Sequence, residues 1–377
     1  MNGATYRGAL AAAPRVAEHF AKHIEMGRTA SGGPLAFAPD VRSLEAIIDK
    51  AFWASLRREE GYVPRISLAF LPAEQAVRPL LFERPLALEA AVLSRVAPAV
   101  ERAGIHLGVW PRDGQLVVWG TTRVIPPYCF VLEVASPGLL VIKHHRGDIS
   151  GKFVNVAVLE GDQLKIVDER SSTLPDCPEL VTSMLGFEAP ASWAQSVNVL
   201  VQLAVSMRTH RRGGALLVVP AGSDTWRESI VSPISYAVAP TFNELAALMR
   251  DAPDDWRLWQ DALAEAIETV AGLTAVDGAT ILTDQYELLA FGAKIARRDG
   301  NPRIESVTVT EPIEGSVSTA LHPSELGGTR HLSAAQFVHD QQNAVALVAS
   351  QDGHFTVFAW SPCETMVHAH RVETLLL

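Results

Sequence analysis

The apolar run at residues 213–219 constrains the fold most, because a strand without polar residues must be buried on both faces of a sheet. The hydrophobic periodicity around this run alternates between helix and strand. Helices are predicted at 193–209, 256–272 and 333–339, and further strands at 278–282, 288–293, 306–310, 344–349 and 355–360. We therefore expect the second half of the chain to be an α/β domain with a mixed β-sheet flanked by helices.

The first half is predicted to be a helix-flanked, mostly antiparallel β domain of the α+β type. Apolar residues at helical spacing predict helices at 41–57 and 85–103, after a short amphipathic stretch near the N-terminus. Residues 107–110 and 115–119 form a predicted hairpin, because the Asp113-Gly114 pair between them supplies the positive φ angles of a tight turn. Further strands are predicted at 130–134, 139–143, 153–159 and 164–167.

The chain has 377 residues, a length that corresponds to two or three domains. The segment 171–191 contains Pro175, Pro178 and Pro190, and this proline content predicts a linker. We expect an N-terminal domain of unknown role at 1–190 and a second domain at 191–377.

Charge and cysteine content exclude several classes of protein. The chain carries 32 basic and 42 acidic side chains, a net charge of −10 that disfavours a dedicated nucleic-acid-binding protein. Three isolated cysteines provide no disulfide framework and fit a reducing compartment. No apolar run reaches the roughly 18 to 20 residues of a membrane-spanning helix, so we expect a cytoplasmic protein that does not enter the membrane.

We assign no function to two other polar segments, and a turn is predicted at each of them. Residues 147–153 resemble a phosphate-binding loop, but the motif is one residue short and ends in phenylalanine instead of serine or threonine, so a turn is predicted. His144 and His145 lie between Lys143 and Arg146, and adjacent residues of a strand point to opposite faces. The two histidines therefore cannot ligate one metal ion, and a solvated basic turn is predicted.

Two short motifs carry the chemistry that remains, and each has an unremarkable structural alternative. They are Asp277, Gly278 and Ala279, followed by Gly328, Thr329, Arg330 and His331. The second motif is predicted to open a helix, whose first N–H groups, with the guanidinium of Arg330, would face an anion. Alternatively, Asp277 and Gly278 form only a turn, and Thr329 serves only as a helix N-cap.

The order of the two motifs and the strands around them resemble the diadenylate cyclase (DAC) domain, whose signature blocks are Asp-Gly-Ala and Gly-Thr-Arg-His-Arg. The resemblance covers approximately residues 193–360, with Gly-Ala-Leu at 214–216, Phe-Gly-Ala at 291–293 and an apolar strand at 344–348 in matching places. It implies that the Asp-Gly-Ala loop lies against the ribose and phosphates of ATP. It also implies that Asp277 accepts from a ribose hydroxyl or holds a metal ion, and that Thr329, Arg330 and His331 donate to phosphate oxygens.

Three departures from the family pattern imply binding without turnover. Val276 stands where catalytic members have histidine, Leu332 where they have a second arginine, and Gln351 where they have a metal-binding glutamate. Loss of two candidate metal ligands weakens a catalytic site more than a binding site. In this the chain resembles the DAC-related proteins labelled DACNV, predicted nucleotide sensors of bacterial signalling or defence systems.

Three functions follow as alternatives. The first is a nucleotide-binding sensor with a degenerate DAC-like domain in cyclic dinucleotide signalling, which takes ATP or a related nucleotide and contacts a protein partner through its N-terminal domain. The second is an active cyclase that makes cyclic di-AMP from two ATP molecules, which requires a homodimer, Mg²⁺ or Mn²⁺, and Asp277 as the catalytic and metal-binding residue. The third is an interaction scaffold whose DAC-like domain is vestigial.

Overall fold

The computed structural model describes residues 5–30, 35–58, 61–145, 153–168, 178–185, 198–250 and 255–377. The chain divides into an N-terminal unit, residues 1–167 with Leu377, and a C-terminal unit, residues 168–376. The domain boundary expected between residues 190 and 191 lies outside the described residues. No helix in the described ranges has the length and apolar character that crossing a membrane requires.

The N-terminal unit is a helix-flanked sheet of eight strands. Its helices are α1 (Arg7–Ala30), α2 (Val41–Ser55) and α3 (Ala90–Val96), and its strands are β1 (Ile66–Phe70), β2 (Leu80–Ala87), β3 (His106–Arg112), β4 (Gln115–Thr122), β5 (Phe130–Ser136), β6 (Leu139–His145), β7 (Phe153–Glu160) and β8 (Gln163–Ile166). The strand order is β2-β4-β3-β1-β5-β6-β7-β8. Only β1 and β3 pair in parallel among these neighbours of the described sheet, so the mostly antiparallel prediction is confirmed.

The predicted hairpin is confirmed. Strands β3 and β4 pair antiparallel up to Arg112 and Gln115, and the two residues between them have φ angles of 51° at Asp113 and 76° at Gly114. Both angles lie in the left-handed region that a two-residue turn of this kind requires.

The helix predicted at 85–103 is shorter in the structure and begins later. Residues up to Ala87 belong to β2, which pairs with β4, and the α-helix covers only Ala90–Val96 before a 3₁₀ turn at Ala97–Val100. Pro85 is tolerated because β2 is an edge strand, where a missing N–H leaves no ladder bond unmade. Pairing with β4 therefore overrides the helical spacing of this segment.

Two further interpretations change in the structure. His144 belongs to β6 and is only 3% exposed, with its ring 6.2 Å from that of Phe20 in α1, so the solvated turn is wrong at this residue. The loop motif at 147–153 lies outside the described residues except for its last position. Within the proposed linker, Glu179–Leu185 is helical and buries Leu180 and Val181, while 171–177 and 186–191 lie outside the described residues.

The C-terminal unit is a mixed sheet of nine strands flanked by helices, as predicted. Its helices are α4 (Glu179–Leu185), α5 (Val199–Thr209), α6 (Glu244–Arg250), α7 (Trp256–Leu273), α8 (Pro323–Leu326) and α9 (Thr329–Asp340), and its strands are β9 (Gly214–Val219), β10 (Tyr236–Phe242), β11 (Ala279–Thr283), β12 (Leu288–Ala293), β13 (Val307–Thr310), β14 (Thr319–Leu321), β15 (Val345–Ala349), β16 (Phe355–Ser361) and β17 (Met366–Arg371). The strand order is β10-β12-β11-β9-β15-β16-β17-β13-β14, with β9–β11 and β13–β17 parallel.

Helices cover both faces of β9, as its continuous apolar run requires. Leu216 and Val218 pack in one core with α5 and α7. Leu217 and Val219 point the other way and pack in a second core with α9. The strand is therefore buried on both sides, with α9 packed against one of them.

A buried histidine makes the stability of the N-terminal unit depend on pH. His106 in β3 is 1% exposed, and its Nδ1 lies 2.7 Å from Ser67 Oγ. Burial, opposed by the charge of Glu133, lowers the pKa of His106 to about 4, whereas the unfolded chain has an ordinary value of about 6.5. The unfolded state therefore takes up the proton first, so stability is fully present above pH 6.5 and is lost as the pH falls toward 4.

We expect the change H106Q to remove about 2 kcal/mol from the difference in unfolding free energy between pH 7 and pH 5. Glutamine keeps a polar group beside Ser67 but does not titrate. Urea titrations of both proteins at the two pH values measure the difference. An unchanged difference in the variant would mean that other groups control the acid sensitivity.

Candidate functional site

Three loops meet at one edge of the nine-stranded sheet. Gly214 at the start of β9 pairs with Ala349 at the end of β15, and Ala215 pairs with Ala279 at the start of β11. The segments 211–213, 276–278 and 350–352 therefore lie side by side, and we call them the motif edge.

The first motif begins β11 at the motif edge, and its glycine has a packing role. Gly278 has a φ of 107°, and a Cβ on it would lie 2.5 Å from the carbonyl carbon of Gly292 in β12. Only glycine allows the two backbones to approach this closely. Asp277 before it is exposed and can reach a ligand, whereas Ala279 after it is buried in the sheet.

The second motif opens α9, as predicted from the sequence. Gly328 is the N-cap residue and provides no side-chain hydrogen bond, and Thr329 begins a helix of 12 residues. The N–H of His331 already donates to the carbonyl oxygen of Gly328 at 3.1 Å, so the open N–H groups at the positive end of the helix dipole are those of the first residues, Thr329 and Arg330. Thr329 is exposed, so its hydroxyl and these N–H groups are accessible to an anion.

Arg330 connects the second motif to the motif edge. A Cβ on Gly213 would lie 2.9 Å from Nη1 of Arg330 and 3.4 Å from Cγ of Gln351, so both side chains border this glycine. Within the described ranges the guanidinium of Arg330 makes no hydrogen bond or ion pair. Arg371, by contrast, forms an ion pair of 2.9 Å with Glu373. Arg330 is therefore a half-buried cation whose donors remain available.

His331 is a buried member of the second motif. It is 2% exposed, and its ring lies 6.1 Å from that of Phe358 in the core. Burial is the main cause that lowers the pKa of His331; the charge of Asp352 opposes it and that of Arg330 adds to it. Its Nε2 has no hydrogen-bond partner in the part of the chain that the structure describes. A buried polar atom of this kind is costly unless a ligand or water satisfies it.

The positions that depart from the family pattern do not form a metal site. Leu332 packs against the core that contains Leu217 and Val219 of β9. The side-chain amide of Gln351 donates to the carbonyl oxygen of Arg212 at 3.3 Å. Nowhere in the described ranges do three His, Cys, Asp or Glu side chains come together in a way that could hold a metal ion. In the described ranges Asp277 thus belongs to no group of three protein ligands.

The motif edge also contains residues that the sequence analysis missed. Arg211 and Arg212 are exposed in the turn before β9, next to Gly213. After burial, the charge of Arg212 is the main cause that lowers the pKa of His210. Two arginines directly before the Gly-Gly start of a buried strand were the available signal, and they add positive charge to the edge where Arg330 lies.

Comparisons with known proteins find one family model that matches part of the chain. Residues 33–123 match the family model described as "Probable sensor domain DACNV", which confirms the DACNV-type resemblance. The match lies in the N-terminal unit, the half whose sequence showed no family motif. No curated protein matches the chain.

Among solved structures, the chain is similar to a cysteine double mutant of DacA from Staphylococcus aureus. The identity is 15%, the similarity covers 46% of this chain and 84% of that one, and the TM-score is 0.24.

Proposed function

We propose that the protein is a sensor that binds a nucleotide at the motif edge of its C-terminal unit. The observation that carries this proposal is the position of Arg330. Its guanidinium, from the second motif, borders Gly213, which lies between the strand ends that carry Asp277 and Gln351. Two motifs that are distant in the sequence thus share one edge of one sheet.

The chemistry of these groups suits the phosphates and ribose of a nucleotide. The N–H groups at the start of α9, the Thr329 hydroxyl and the Arg330 guanidinium all donate, which matches phosphate oxygens. The exposed carboxylate of Asp277 accepts from a ribose hydroxyl.

The sensor is favoured over the cyclase because the groups that bind phosphate are retained and those that hold a metal are not. Phosphodiester formation needs a metal ion to neutralise charge, and Val276 and Gln351 offer no carboxylate or imidazole. On this proposal the protein acts in the cytoplasm in cyclic dinucleotide signalling. The bound state of the C-terminal unit is passed to a partner protein, or to a second copy of the chain, through the DACNV-type N-terminal unit.

Calorimetry of the full chain tests the proposal with ATP, an NAD-type dinucleotide and cyclic di-AMP as ligands. We expect at least one of them to bind, and incubation with ATP and Mn²⁺ to yield no cyclic di-AMP. Absence of binding by all three at millimolar concentration would leave only the scaffold. Formation of cyclic di-AMP would establish the cyclase.

A further inference from the structure

An exposed aromatic pair lies at the border of the C-terminal sheet. Tyr236 of β10 is the cross-strand partner of Phe291 of β12, and their rings are stacked with centroids 4.9 Å apart and planes at 4°. Phe291 covers one face of the tyrosine ring, yet Tyr236 is still 50% exposed. Its stacking partner fixes the orientation of the ring, and its other side is open to solvent.

The tyrosine ring lies next to the first motif. A Cβ on Gly292 would lie 2.7 Å from Cδ2 of Tyr236 and 3.3 Å from the carbonyl oxygen of Asp277. Gly292 also has a φ of 59°, so both its backbone conformation and its surroundings require glycine. The edge of the Tyr236 ring and the backbone of Asp277 therefore border the same residue.

The separation between this ring and the phosphate-binding groups suits a nucleotide. Two strand spacings, about 10 Å, separate β12 from β9, at whose start Arg330 lies against Gly213. Asp277 precedes β11, the strand between them. Along the strand order, the ring of Tyr236 borders Gly292 of β12, Asp277 precedes β11, and Arg330 borders Gly213 before β9, a succession that suits the base, ribose and phosphate of a nucleotide.

We propose that Tyr236 is a binding residue that stacks on the base of the ligand, with Phe291 as the support that orients the ring. This inference rests on the proposed nucleotide site and adds the residue that recognises the base, which neither motif contains. Stacking on an aromatic ring accepts every base because each has a π face. Tyr236 therefore distinguishes a nucleotide from a phosphate chain without a base.

Calorimetry with ATP and with inorganic tripolyphosphate tests this role in the full chain. We expect Tyr236→Leu, which keeps an apolar cover over Phe291, to lower the affinity for ATP about fivefold to hundredfold. The affinity for tripolyphosphate should not change. Tyr236→Phe should retain the affinity for ATP because it keeps the ring, and Tyr62→Leu, at a tyrosine that is 78% exposed in the N-terminal unit, is the matched control.

The outcomes separate this inference from the proposed function. If the parent protein binds ATP and Tyr236→Leu binds it equally well, Tyr236 is not a base-stacking residue and the nucleotide site stands. An equal loss for ATP and tripolyphosphate would also overturn the stacking role, since the effect would then concern the phosphates. If the parent binds no nucleotide, both proposals fail.

Discussion

We expect Arg330→Ala to lower the affinity for ATP or the related nucleotide of the proposed site about tenfold to hundredfold, the loss for one charge-assisted hydrogen bond to phosphate of about 1.5 to 3 kcal/mol. The reason is that its guanidinium lies at the motif edge without a partner in the described part of the chain. No ion pair among the described residues is lost with it, so the folded state should keep its stability. Calorimetry of parent and variant measures the affinity, and thermal unfolding checks the fold.

The matched control is Arg257→Ala. Arg257 is exposed in the first turn of α7, whereas the C-terminal end of the same helix leads toward Asp277. A helix of 18 residues separates the two ends by about 27 Å, so the control removes the same charge far from the site. Equal affinities in parent and Arg330→Ala would favour the interaction scaffold over both nucleotide-binding hypotheses.

The largest loss of stability is expected from Phe337→Ala. Phe337 of α9 is fully buried in the core that also contains Leu217 and Val219 of β9. Truncation of a buried phenylalanine removes apolar contacts and leaves a cavity, which costs about 3 to 5 kcal/mol. Urea titration of the unfolding transition of the C-terminal unit measures this loss.

Leu258→Ala is the control for this loss. Leu258 is 69% exposed on α7, so its truncation should change the unfolding free energy by no more than about 0.5 kcal/mol. A loss below about 1 kcal/mol for Phe337→Ala would show that the core beneath α9 collapses into the space. In that case packing against the sheet would not hold α9 in place. The position of Arg330 next to Gly213 would then not be explained by this packing.

Local patterns in the sequence predicted the elements whose burial follows a simple period. Strand β9 and helix α7 were predicted because their apolar residues are continuous or at helical spacing. Strand β17 was missed because it carries His368 and His370, polar residues that are nonetheless buried. Their partners come from elsewhere in the chain: His370 Nδ1 lies 2.8 Å from Thr310 Oγ1 of the parallel strand β13. The hydrophobic periodicity of a strand does not reveal which residues of a neighbouring strand will contact its polar side chains.

In the candidate site, too, local motifs were predicted from the sequence, whereas features that depend on strand pairing were not. The residue types of the two motifs indicated phosphate chemistry, and Gly328 and Thr329 correctly predicted the start of a helix. That Arg330 borders Gly213 depends on the strand order, which places β9 between β11 and β15. Tyr236 could not be predicted, because a single tyrosine on a strand interrupted by proline has no motif and its stacking partner is on another strand.

The two borders of the C-terminal sheet limit how copies of this chain can associate. At one border, Pro240 in β10 has no N–H to donate, and the register of β10 shifts between Ala237 and Phe242. At the other border, β14 has only three residues. A flat, uninterrupted edge strand would act as a template for further strands and lead to aggregation, which these features prevent. These borders therefore favour association through helices, loops or exposed faces over growth of one continuous sheet.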